Sequence, residues 1–224
     1  MRALTLSGWA QAHDALAPVT PDGAIHFAYG ALTSLEDCFG QLEALGEFDI
    51  VIGWSMGGQL AMRAIAAGQL KTKRLVLLGV PYQIAADANY SKASPPEKLA
   101  ATRAMFIAGA DEMMQKFLPL MASGDAKERE IIRNLRKHIV DFSKEHYWLL
   151  WFDELVQFSC RELDFSHFPP TEILHGEKDL VVLAAQAVTL GEKIPGARVY
   201  LLPECSHVPH WHDATFIRHV ITGS

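Results

Sequence analysis

The sequence predicts an α/β fold: a mainly parallel sheet of about six strands with crossover helices and one helical insertion. Three observations carry this. Short apolar runs alternate with amphipathic stretches, the pattern of strands joined by crossover helices. The runs are continuous rather than alternating in polarity, which suits strands covered on both faces. One long segment, between the fourth and fifth runs, keeps a helical period throughout.

The expected strands are residues 3–6, 24–28, 50–53, 74–78, 172–175 and 198–202, each rich in Val, Ile or Leu. Between them, Thr33-Ser34-Leu35-Glu36 reads as a capping box opening a helix that runs to about Leu45. The Ala-rich stretch 56–67 predicts a second helix, stopped by Gly68, and 183–193 and 213–221 predict two more. From Tyr82 to Pro170 no strand pattern occurs. Pro81 and Pro169-Pro170 bound that segment, so residues 82–170 read as a helical cap on a core of 1–81 and 171–224.

Composition narrows the function classes. The chain has 224 residues, half of them hydrophobic and 21% charged, enough for one well-filled core and too apolar for wholesale disorder. Its formal charge of −6 argues against broad nucleic-acid binding. No apolar run approaches the ~18 residues that cross a bilayer, and Arg2 to Leu6 lead straight into polar turn residues rather than a signal peptide. Cys38, Cys160 and Cys205 are scattered, with no CxxC pair, so they read as free buried thiols in a reducing compartment. A cytoplasmic monomer without metal or organic cofactor is the expectation.

The most specific signal is Gly53-Trp54-Ser55-Met56-Gly57, a G-x-S-x-G run between a predicted strand and a predicted helix. A serine on so tight a turn crowds its own backbone, and a side chain at Gly53 or Gly57 would collide with neighbouring elements. In return the Ser55 hydroxyl stands clear of the sheet, and the Met56 N–H lies at a helix N-terminus, where negative charge is favoured. Such a serine needs a base, and the base an orienting acid. Asp179 follows the fifth strand and His207 follows the sixth, so both fall at the rim where parallel strands end. Alternatives stand beside this reading. Asp179 also fits a helix N-cap, and His207-x-x-His210-x-His212 also fits a metal cluster, although no carboxylate or Cys set with zinc spacing accompanies it. Ser7-Gly8-Trp9, after the first strand, would supply the second oxyanion donor through the Trp9 N–H; the Trp9 ring reads as pocket wall or core aromatic.

With these motifs in order, the chain resembles the α/β-hydrolases, and most of all the pimeloyl-[acyl-carrier protein] methyl ester esterases of biotin synthesis. The resemblance runs over nearly the whole chain. It implies a triad of Ser55, Asp179 and His207, an oxyanion hole of Trp9 and Met56, and an acyl-carrier protein as transient partner. In that family, arginines matching Arg129 and Arg133 dock the carrier; Arg136 and Lys137 extend the same basic stretch. Spacing adds to this: from 128 to 142, Ile131, Ile132, Leu135, Ile139 and Phe142 share one helical face, with Arg129, Arg133, Arg136 and Lys137 opposite. That stripe is equally an ordinary solvated face. The chain departs from the family in having Ser7 where a His is usual and a shortened loop at 29–34. The two leading antiparallel strands are also missing, because the oxyanion strand begins at residue 2. Cap aromatics Phe106, Phe117, Phe142, Trp148, Trp151 and Phe152 fit an acyl channel or the cap's own core, the latter for most of them. The competing readings are a short-chain carboxylesterase or other hydrolase of small esters, and a catalytically silent binding protein.

Overall fold

In the computed structural model, which describes residues 1–143 and 146–223, six strands form one parallel sheet. They are β1 (Ala3–Leu6), β2 (Ile25–Phe27), β4 (Ile50–Trp54), β6 (Leu75–Leu78), β7 (Thr171–Gly176) and β8 (Arg198–Leu202), in the order β2-β1-β4-β6-β7-β8. Every pairing is parallel, with Leu6 beside Gly53, Gly53 beside Leu77 and Leu77 beside Ile173. Strands β1, β4, β6 and β7 are buried along their whole length, as their continuous apolar runs require. The edge strands differ: β8 is partly exposed despite its Val and Leu residues, and it stands at the end of the sheet, where among the described residues no further strand pairs with it. A second, two-stranded sheet, β3 (Glu47–Phe48) with β5 (Lys71–Thr72), was not legible at two residues per strand.

Helices α1 (Leu35–Ala44), α2 (Met56–Ala66), α7 (Ala185–Lys193) and α9 (Ala214–Thr222) stand where the pattern predicts them. The cap of α1 sits one residue later than expected. Ser34 is the N-cap and accepts from the Asp37 N–H at 3.1 Å, so Thr33 and Glu36 are not the box. Helix α2 stops at the foreseen Gly68, with the Gln69 N–H on the Ala64 carbonyl and the Gly68 N–H on that of Ile65.

The helical segment lies between β6 and β7: α3 (Pro96–Ala108), α4 (Ala110–Ala122), α5 (Glu128–Leu135) and α6 (Trp148–Gln157). Its buried apolar residues belong to the same core cluster as those of the sheet. One expectation fails here. The amphipathic helix drawn over 128–142 ends at Leu135, in a 3-10 turn, Arg136–His138. The chain then runs extended because it pairs with the loop after β1: the Ala12 N–H meets the His138 carbonyl at 2.7 Å and the Val140 N–H that of Ala10 at 3.4 Å. Ile139 and Phe142 still pack on the core, Ile139 from an extended bridge and Phe142 from the turn after it, rather than from one helical face. Among the described residues, no helix is long and apolar enough to cross a membrane.

Candidate active site

Strand β4 carries Gly53 and Trp54 to the sheet rim and hands the chain to α2 at Ser55. There the backbone takes φ 52°, ψ −123°, a conformation that a non-glycine residue holds only when its surroundings over-determine it. Those surroundings are tight. A Cβ on Gly57 would lie 2.3 Å from the carbonyl oxygens of both Leu6 and Ser7, and one on Gly53 2.3 Å from the Gly58 Cα. The turn closes as the Ser55 N–H donates to the Leu78 carbonyl at 2.9 Å. Ser55 Oγ thus faces the rim, and Met56 opens the first turn of α2, where an N–H has no carbonyl four residues back.

Three side chains from distant parts of the chain meet here. His207 Nε2 lies 3.0 Å from Ser55 Oγ, and His207 Nδ1 lies 2.7 Å from Asp179 Oδ2. The two contacts fix the roles on the ring: Nδ1–H donates to the carboxylate, and Nε2 accepts from the hydroxyl. An imidazole so held can take a proton from the serine as its oxygen attacks an acyl carbon, then return it to a leaving group. Asp179 is not a helix N-cap, because α7 begins at Ala185 with Ala184 as its cap. Its Oδ1 instead accepts from the backbone N–H groups of Val181 and Val182 at 2.8 Å each, an Asx-type turn, and Oδ2 turns to His207. The carboxyl is fully buried, which resists ionisation. The charge of His207 and hydrogen bonds from His175 and His207 outweigh this and hold it below the usual carboxylate range.

Several supports went unread in the sequence. His175, on β7, is buried; its Nε2 lies 2.7 Å from the Val182 carbonyl and 3.1 Å from Asp179 Oδ2. Trp54 Nε1–H donates to the His207 carbonyl at 2.9 Å, and the His207 N–H donates to the Met121 carbonyl of the cap at 3.1 Å. Gly79 holds φ +55° against the base; a Cβ there would come 3.1 Å from the His207 carbonyl oxygen and 3.3 Å from Nδ1. No residue pattern along the chain announces these contacts, because each partner is an ordinary core type and the pairing is tertiary.

The three histidines of the weighed metal cluster part company. His207 turns to Ser55, His210 packs against the Trp54 ring at 4.6 Å, and His212 Nδ1 lies 2.9 Å from Asp125 Oδ1. A different set gathers nearby: Asp125, Cys205 and His212 bring donor atoms within 4.8 Å of one another. Cys38, Cys160 and Cys205 are free and buried, and burial pushes each thiol up, Cys38 to about 12. None is a ready nucleophile.

A cleft of about 700 Å³, counting its open mouth, leads to Ser55 and His207. Trp9, Trp54, Phe117, Leu120, Met121 and Phe152 wall it, with Lys98 and Thr102 of α3 also on its lining. Trp9 serves as pocket wall and core aromatic together, its ring 5.2 Å from those of Phe106 and Phe152 and its indole N–H on the Trp148 carbonyl at 2.8 Å. Of the six cap aromatics, Phe117 and Phe152 line the cleft; Trp148 and Trp151 pack on Tyr29, and Phe142 on Phe106. Arg129 and Arg133 are exposed on α5, with Arg136 and Lys137 exposed on the turn that follows.

A serine on this turn, with a carboxylate after β7 and an imidazole after β8, is the arrangement of one large group of enzymes. The alpha/beta hydrolase family matches residues 3–219, and the chain belongs to it. Within that family it is similar to the pimeloyl-[acyl-carrier protein] methyl ester esterase of Aromatoleum aromaticum, 26% identical over 233 residues, 99% of this chain and 82% of that protein. It is 24% identical to the enzyme of the same name from Chromobacterium violaceum over 169 residues, 75% of this chain and 66% of that protein. Among solved structures, the esterase of Exiguobacterium antarcticum superposes with a TM-score of 0.80 at 16% identity, covering 100% of this chain and 91% of that one, a likeness of fold.

Proposed function

We propose that the protein is a carboxylic ester hydrolase using Ser55 as nucleophile, His207 as base and Asp179 as the group that orients the imidazole and stabilises the imidazolium it becomes. The observation that carries this is the 3.0 Å and 2.7 Å relay at the floor of an apolar cleft. Ser55 Oγ attacks the ester carbonyl while its proton passes to His207 Nε2. The backbone N–H groups of Met56 and Trp9 receive the oxyanion; one such donor contributes about 3 kcal/mol in other hydrolases. The tetrahedral species expels the alcohol, which takes the proton from His207. Water, deprotonated in turn by His207, then releases the acid and restores Ser55.

The substrate we assign is an acyl-carrier-bound methyl ester, the class named for the relatives. Exposed Arg129, Arg133, Arg136 and Lys137 form a cationic patch on a chain of net charge −6, suited to steering an acidic carrier. One observation favours the second reading, a small-ester hydrolase without a carrier: Glu128 and Glu130 are exposed beside the arginines and dilute the patch.

The test uses a fluorophosphonate probe and two esters. The wild type is labelled at one site, Ser55→Ala abolishes labelling and hydrolysis of a short aryl ester, and methyl pimeloyl-carrier protein is cleaved with kcat/KM at least ten times that of the aryl ester. Labelling that survives in Ser55→Ala would remove the serine mechanism, and a catalytically silent protein would take no label at all. Preference for the aryl ester would leave the mechanism standing and transfer the assignment to the second reading.

A further inference from the structure

The loop that bears His207, between β8 and α8 (Pro209–His212), is tied to the end of α4 and to the corner between α4 and α5. At its centre is Asp125, a buried carboxylate that no motif in the sequence singled out. Asp125 Oδ2 accepts from the Ser206 N–H at 2.8 Å and the Ser206 hydroxyl at 3.0 Å. Its Oδ1 accepts from the Lys127 N–H at 2.8 Å and lies 2.9 Å from His212 Nδ1. Around this hub the Ala126 N–H donates to the Glu204 carbonyl at 3.0 Å, and the His207 N–H to the Met121 carbonyl at 3.1 Å.

The chemistry of that hub is specific. Four donors converge on two oxygens, which fills the acceptor capacity of an ionised carboxylate and which an amide cannot match, since one of its two heads donates. A charge kept under cover this way is costly unless fully bonded, so its partners are held firmly. The partner on Oδ2 is the residue immediately before the base. A shift of the Ser206 backbone would carry the imidazole with it, and the loop is already strained at Glu204, where φ is 52°.

We infer that Asp125 is a positioning residue for His207: through it the α4–α5 corner of the cap sets the distance between the imidazole and Ser55. This inference rests on the reading of Ser55 as nucleophile. It also makes the corner a brace rather than part of a freely hinged lid, and the brace leads directly into α5, which carries Arg129 and Arg133.

The experiment is Asp125→Asn, assayed on a short aryl ester with the working sites counted by fluorophosphonate titration. The expected result is a kcat per titrated site about 10 to 100 times lower with KM within about twofold, the signature of a misplaced catalytic group. The rate of fluorophosphonate labelling falls in parallel, and Ser206→Ala gives a smaller loss that does not add to that of Asp125→Asn. A variant that melts earlier but turns over normally per titrated site would overturn the inference, because Asp125 would then serve the fold alone. Should Asp125→Asn fail to fold, Ser206→Ala and His212→Gln decide: wild-type kcat and labelling rate in both overturn it. Failure of the wild type to be labelled at Ser55 is a different outcome and strikes the serine mechanism itself.

Discussion

His210 shows how much one residue's surroundings can decide. It lies three positions beyond His207, yet it is fully buried against Trp54 and takes no part in the Ser55–His207–Asp179 contacts. Burial, with the charges of His207 and His138, pushes its pKa down to about 3. A histidine whose native pKa is depressed is protonated more readily in the unfolded chain. Its contribution to stability is therefore intact above about pH 6.5 and is lost as pH falls from there toward 3. The expected slope is about 1.4 kcal/mol per pH unit from this group. Urea unfolding between pH 4.5 and 7 measures it, and His210→Gln should flatten the dependence. Equal slopes in the two proteins would mean that His210 finds a proton in the native state after all. Asp179 acts in a separate window: its depressed pKa contributes stability that is complete above its ordinary value near 3.8 and fades only below it.

At the scale of elements, the turn at Ser55 depends on two secondary structures approaching more closely than a methyl group permits. Gly57→Ala would drive a Cβ into the β1 carbonyls of Leu6 and the following Ser7 at 2.3 Å, where neither backbone can yield without disturbing the sheet. A loss of about 3 kcal/mol or more is expected in denaturant unfolding. Gly40→Ala is the contrast. Gly40 sits mid-helix in α1, exposed and with nothing within 4 Å of an added Cβ, so the same change should stabilise by about 0.5–1 kcal/mol. Comparable losses at both positions would show that glycine content, not the close approach, governs the turn. The sequence announced Gly57 through its motif and said nothing of Gly79, whose partner His207 lies 128 positions along the chain.

Across the whole molecule, the helical segment between β6 and β7 is joined to the loops after β1 and β8: Trp9 to Trp148, and Asp125 to Ser206. The proposed carrier surface on α5 is thus part of the same body as the base. If it docks an acidic protein, Arg129→Ala with Arg133→Ala should raise KM for methyl pimeloyl-carrier protein about tenfold and leave a short aryl ester unaffected. Wild-type turnover of the carrier ester should likewise weaken between 0.05 and 0.5 M salt, as the screening length shrinks from above 10 Å to a few Å. Steady-state kinetics on the two substrates decide it, and equal effects on both would remove the docking role. What the residues determined alone was the alternating α/β order, the G-x-S-x-G turn between strand and helix, and the placement of Asp179 and His207 just after later strands, because strand periodicity and turn chemistry are local and strand ends share a rim. The tertiary structure decided the rest. Helix α5 stops at Leu135 because a distant loop pairs with the next residues, Asp179 both bonds its own turn and faces His207, and Asp125 holds Ser206, the residue before His207, across 81 positions. Such contacts join residues of ordinary type through space, and spacing along a chain carries no trace of them.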